Sequence, residues 1–215
     1  MVQCRMRLLL KLWLLTLAVP AFAQGAQPRP MDLAAPNGRH LIRLYPAIQG
    51  TIGNCPYDRA DLMETQSGAA LYHFQPLGGF VKDSVVWSPD STHVAVYTHD
   101  HRTGMPLVVQ VSKAGVTECS LPEITLPHER QPENAGRQWQ SWLKPKKWLS
   151  KSVLLLSDSG VIQERKGVDA SLVYDYTLQI TFRTDGAGIL KSTKRVQFER
   201  DKSWLKRNQQ ARGRG

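Results

Sequence analysis

Apolar and β-branched residues fall in short runs along most of the chain: Leu41-Ile42-Arg43-Leu44-Tyr45, Ser84-Val85-Val86-Trp87, His93-Val94-Ala95-Val96-Tyr97, Leu107-Val108-Val109-Gln110-Val111, Val153-Leu154-Leu155-Leu156 and Tyr174 to Phe182. Runs of this length, bounded by turn residues, predict β-strands. No segment between them keeps a 3.6-residue period except the stretch around Trp139 and Trp142. These two, three apart, predict one face of a short helix covering an open sheet edge. The expected fold class is all-β.

The turns recur as well as the strands. Pro36-Asn37-Gly38-Arg39-His40, Trp87-Ser88-Pro89-Asp90-Ser91-Thr92-His93 and Trp148-Leu149-Ser150-Lys151-Ser152 each precede a strand. Each is followed further on by a tight turn of small residues and glycine: Gln66-Ser67-Gly68, Lys113-Ala114-Gly115 and Thr184-Asp185-Gly186. Glycine at these points supplies the positive φ that a hairpin turn demands.

Trp87-Ser88-Pro89-Asp90-Ser91 before an alternating strand resembles the W-S-P-D-G turn of TolB-type β-propeller repeats, also found in the propellers of prolyl-oligopeptidase-like peptidases. The likeness implies four-stranded blades at approximately 33–76, 83–122 and 145–198, the middle one matching throughout. The first lacks the Trp, and the third replaces the Pro-Asp turn with Leu149-Ser150-Lys151-Ser152. Closed propellers typically have about 4 to 8 blades. Three propeller-like antiparallel blades therefore leave an open arc, a compact sandwich, or a homodimer that completes a ring. The compact monomer is preferred.

The apolar pattern breaks from this at the N-terminus. Arg5 and Arg7 precede the run Leu8 to Val19, interrupted only by Lys11 and Thr16, and Ala21-Phe22-Ala23 follows. That arrangement is a secretory signal peptide, 1–23, cut after Ala23, because a membrane-spanning helix needs about 20 apolar residues. A periplasmic or otherwise secreted protein is expected. Loss of Cys4 with the signal leaves Cys55 and Cys119, in a compartment that allows disulfides. A bridge between them would close a loop of about 65 residues and contribute about 4 kcal/mol.

Charge changes the picture next. The formal net charge is +10, yet residues 24–190 hold 16 basic and 16 acidic residues, and nine Lys or Arg against two acids lie in 191–215. The basicity belongs to a tail, expected to be disordered over 199–215. It excludes a nucleic-acid-binding domain and leaves only a weak, screened contact of the tail with anionic lipid.

Candidate chemistry is sparse. No G-x-S-x-G, H-E-x-x-H or phosphate-loop motif occurs, so no enzyme and no cofactor is expected. On an extended strand His93, His99 and His101 share one face and form a weak candidate metal set, short of a fourth ligand. The carboxylates Asp90 and Asp158 are read as turn residues that bond backbone amides. Trp139, Trp142 and Lys144 mix aromatic and cationic character and form a candidate partner surface. The expected function is a non-enzymatic protein-binding module of the cell envelope, its partner another envelope or secreted protein. The alternatives are a periplasmic inhibitor or immunity protein against a toxin, and a metal-binding protein or hydrolase built on the histidine face.

Overall fold

The computed structural model of the chain describes residues 29–47, 55–124, 135–164, 171–193 and 197–200. The signal peptide expected at 1–23 and residues 201–215 of the expected tail lie outside the described residues. Among the described residues there is no helix. The strands run in order β1 (Met31–Ala34), β2 (His40–Pro46), β3 (Tyr57–Glu64), β4 (Ala70–Phe74), β5 (Gly79–Trp87), β6 (His93–His99), β7 (Thr103–Ser112), β8 (Gly115–Cys119), β9 (Ala135–Trp148), β10 (Val153–Glu164), β11 (Ser171–Phe182), β12 (Gly188–Thr193) and β13 (Gln197–Arg200).

They form three four-stranded antiparallel meanders, β1–β4, β5–β8 and β9–β12, with β13 added beside β11. Short pairings join the meanders into one open mixed sheet. Tyr57 pairs Phe80 across β3 and β5, and β7 runs parallel to β9 with Thr103 opposite Ser141 and Gly104 opposite Trp142.

The first turns of the first two meanders share one geometry. Ala35 N donates to His40 O and Gly38 N to Ala35 O, both at 2.9 Å; Ser88 N donates to His93 O at 2.8 Å and Ser91 N to Ser88 O at 2.9 Å. Gly38 (φ 67°) and Ser91 (φ 61°) hold the same left-handed position. The residue before each caps the turn, Asn37 Oδ1 accepting from Arg39 N at 2.9 Å and Asp90 Oδ1 from Thr92 N at 3.2 Å. The third turn is one residue shorter and closes from Leu149 N to Val153 O at 2.7 Å. In all three meanders the last turn carbonyl accepts from the third strand or its extension: Arg39 O from Thr65 N, Thr92 O from Val111 N, and Ser152 O from Phe182 N. Gly68, Gly115 and Gly186, expected at the later hairpin turns, all have positive φ.

Tryptophan links successive meanders in a matching way. Trp148 Nε1 donates to Val86 O at 2.9 Å, and Trp87 Nε1 donates to Leu33 O at 3.3 Å. Leu33 stands two residues before the turn donor Ala35, as Val86 stands two before Ser88. Each indole thus reaches the equivalent carbonyl of the preceding meander, and the first meander carries Ala34 where the others carry Trp.

The core lies on both faces of the middle meander. Val94, Val96, Val109 and Val111 pack with Ile42, Leu44, Leu62 and Phe74 of the first. Ala95 and Val108 pack with Leu154, Leu156, Leu178 and Ile180 of the third. Consequently β6 is buried from His93 to Thr98 instead of alternating, as expected of a strand covered on both faces.

Four expectations change. Trp139 and Trp142 lie on strand β9, not on a helix, so the third meander begins at Ala135 instead of 145. Arg200 and Glu199 belong to β13, paired with Leu172 and Val173, so strand structure continues two residues into the expected tail. Asp158 lies within β10, not at a turn. Finally, the Cys55–Cys119 bridge is not formed. Cys119 pairs Val108, whereas Cys55 lies beside His99, whose strand partner is Gly104. Those two β7 positions stand about 13 Å apart along the strand, well beyond the span of about 7 Å that a disulfide tolerates between Cα atoms.

Candidate functional site

The inward positions of β10 read Leu154, Leu156, Asp158, Gly160 and Ile162, every second residue, all buried. Asp158 is thus a carboxyl placed where the alternation calls for an apolar side chain, and it is 4% exposed. Ser141 Oγ of β9 donates to Asp158 Oδ1 at 3.1 Å, and Tyr174 OH of β11 donates at 3.5 Å. Gln138 Nε2 donates in turn to Tyr174 OH. Burial holds the Asp158 carboxyl above the usual carboxylate range, offset in part by the Tyr176, Ser141 and Tyr174 hydroxyls. Burial and the nearby carboxyl push both the Tyr174 and Tyr176 hydroxyls up.

Two glycines make room for this cluster. A Cβ on Gly160 would stand 2.2 Å from Gln140 O and 2.5 Å from Tyr174 OH, and one on Gly104 would stand 2.1 Å from Tyr97 OH. Tyr97 is itself pushed up to about 12, first by burial, then by Cys55 and Asp158.

Above the carboxyl lies a cavity of about 380 Å³ between the second and third meanders, where β7 runs beside β9. Leu77, Met105, Ile124 and Leu143 wall it, and Thr103, Ser141 and Asp158 supply its polar atoms. Leu77 (49% exposed) and Met105 (38%) open to solvent. Apolar walls with a few convergent polar groups are what ligand-binding cavities share.

Tyr97 connects this cluster to a second pair. Its ring stacks on His99 at 5.4 Å, and His99 Nε2 lies 3.3 Å from Cys55 Sγ while Nδ1 lies 3.2 Å from Asp100 O. The thiol is fully buried, and burial raises its pKa. An activated cysteine nucleophile needs the opposite shift.

The three candidate histidines are not brought together. His93 sits at the turn end of β6, its ring 5.3 Å from Trp148 and 6.3 Å from Phe182, and burial lowers its pKa. His99 ends the same strand about 20 Å away. His101 is exposed in a turn that Asp100 closes by accepting from Arg102 N and Thr103 N, both at 2.7 Å. Among the described residues no three His, Cys, Asp or Glu cluster as a metal site.

The expected partner surface is not brought to the cavity, since its described members point to the other face of β9. Trp142 and Lys144 alternate along β9 with Ser141 and Leu143, which line the cavity. Lys144 Nζ lies 5.8 Å from the Tyr97 ring centroid. The side chain of Trp139 lies outside the described residues.

No protein-family model and no curated protein sequence matches the chain.

Proposed function

We propose that the chain is an exported, non-enzymatic binding module of the cell envelope that holds another envelope or secreted protein at the mouth of the Asp158 cavity. The observation that carries this is the cavity itself, apolar-walled, floored by a buried carboxyl, and rimmed by exposed Leu77 and Met105. Side chains of that size exposed at a concave site gain most when another surface covers them. Trp142 and Lys144, on the opposite face of β9 from Ser141 and Leu143, are not among the residues that line the cavity.

Three meanders, the first two with matching first turns, and two matching indole bonds support the likeness to propeller-type repeats, here as a short array of three. They favour the monomer over a ring of two copies. A second copy docking its first meander on the third would bring Ala34, with no indole, to the position where Trp87 and Trp148 donate.

Site-specific photo-crosslinking tests the proposal. A photoreactive residue replacing Met105 is expected to give a discrete protein adduct in exporting cells, and the same residue replacing Lys113, at the turn end, is expected to give none. Adducts of equal yield from both positions, or from neither, would overturn it.

A further inference from the structure

We infer that the cavity receives a cationic side chain, lysine or arginine, presented by the bound protein. Its aliphatic stem would lie along Leu77, Met105 and Leu143, and its charged head would meet the Asp158 carboxylate. The inference rests on the partner-binding proposal above and specifies its chemistry.

Three observations lead to it. First, Asp158 is nearly fully buried yet has no Lys, Arg or His within ion-pair distance among the described residues. A buried carboxylate without a cation is costly, and an incoming positive charge removes that cost. Second, the groups already around it are hydroxyls of Ser141 and Tyr174, which donate to Oδ1 and so orient the carboxyl as an acceptor. An acceptor so held suits an ammonium or guanidinium and repels an anion. Third, the route to the carboxyl is apolar. Lysine and arginine stems lie well against such walls while the head reaches a polar floor, and about 380 Å³ accommodates either side chain. A purely apolar insert would fill the walls and leave the carboxylate unpaired.

A second cleft among the described residues lacks this combination. At the turn end, about 790 Å³ between the first two meanders is lined by turn residues such as Asn37, Thr65, Asp90 and Lys113. Asn37 and Asp90 there already cap their own backbones.

The test is a titration followed by amide NMR shifts, using n-butylguanidinium and n-butylammonium as probes and 1-pentanol as the neutral comparator. Saturable shifts at Gly104, Ser141 and Leu143 are expected with both cations and not with the alcohol. Asp158→Asn, which keeps the size and polarity of the side chain, is expected to weaken cation binding at least tenfold; Asp90→Asn at the turn end should leave it unchanged. Equal binding of alcohol and cations, or undiminished binding in D158N, would overturn the inference. The cation-against-alcohol comparison on the unaltered protein needs no variant to fold. If Met105 still cross-links a partner while the cations show no preference, only this inference fails; absence of the cross-link removes the proposal beneath it.

Discussion

The two ends of the strands solve the same problem in opposite ways. At the turn end, polar side chains serve the backbone beside them. Asn37 and Asp90 cap turns, Ser88 Oγ accepts from His93 N at 2.9 Å, and the indoles of Trp87 and Trp148 tie one meander to the next. At the cavity end the polar side chains face one another instead. Buried Asp158 and Tyr174 join half-buried Ser141 and exposed Gln138 in one hydrogen-bonded cluster beneath an open cavity, with no basic partner for Asp158 among the described residues. Features that satisfy only their own turn build the repeat; a buried carboxyl without a counterion does nothing for the fold that an apolar residue would not do better. That contrast is what motivates the proposal that recognition sits at the cavity end.

The largest expected effect lies at the turn end. Trp148 is 7% exposed and packs against His93 and Phe182. Trp148→Ala should destabilise by about 3–5 kcal/mol, measured by urea unfolding. Trp148→Phe keeps most of the packing and loses the bond to Val86 O, so part of that loss, about 1 kcal/mol, isolates the indole N–H. A phenylalanine variant as damaged as the alanine one would mean that the bond, not the packing, joins the meanders.

At the cavity end the expected sign is reversed. The folded-state pKa of Asp158 is raised, so the folded chain binds the proton more tightly than the unfolded one. Its contribution is favourable below the usual carboxylate pKa of about 3.9 and is lost as pH rises through the folded value. Asp158→Asn should therefore match the parent near pH 4 and be more stable at pH 7, by about 1 kcal/mol or a Tm gain of about 2–4 °C. His93 gives the opposite slope. Its folded pKa is lowered, so the stability it allows at neutral pH is lost as pH falls below about 6.5. Tm profiles of the parent and D158N between pH 4 and 8 check both signs, and a gap independent of pH would show that Asp158 is not the group responsible.

The smallest effect compares the two equivalent turns. Gly38 has open space around its missing Cβ and a φ of 67°, so Gly38→Ala should cost about 1 kcal/mol from left-handed strain alone. Ser91→Gly relieves the same strain but removes the hydroxyl that accepts from Asn37 N at 3.0 Å, so its thermal midpoint should stay close to the parent's. A Ser91→Gly loss larger than that of Gly38→Ala would place the hydroxyl contact above the strain.

Much of the fold was legible because the strands of the middle meander are short, β-branched and bounded by Gly, Pro and Asp. The glycine turns at 68, 115 and 186 were legible for the same reason: a positive φ leaves few other choices. β3 was harder, since Arg59 and the buried Asp61, which pairs with both Arg59 and His73, interrupt its apolar residues and dilute the signal. β9 was misread as helical because three register shifts, opposite Leu155/Leu156, Val161/Ile162 and Ile162/Glu164, break its two-residue period, and its tryptophans at 139 and 142 fall three apart. The site was missed because Ser157-Asp158-Ser159-Gly160 has the composition of a turn. The signal against that was present: Asp158 continues the inward alternation of Leu154 and Leu156, and a strand pattern can run through Gly160 when a large neighbour such as Tyr174 needs the space. The pairing of Cys55 with His99 joins residues 44 positions apart and had no local signature.

The division between the two ends is tested most directly by the cross-link from Leu77 at the cavity rim, measured in the parent background and in the Gly38→Ala and Asp158→Asn backgrounds. The adduct should persist in G38A, which weakens the turn end without touching the cavity, and should fall severalfold in D158N although that variant is the more stable protein at neutral pH. An adduct undiminished in D158N, or lost in G38A while the protein remains folded, would contradict the assignment of recognition to the Asp158 cavity.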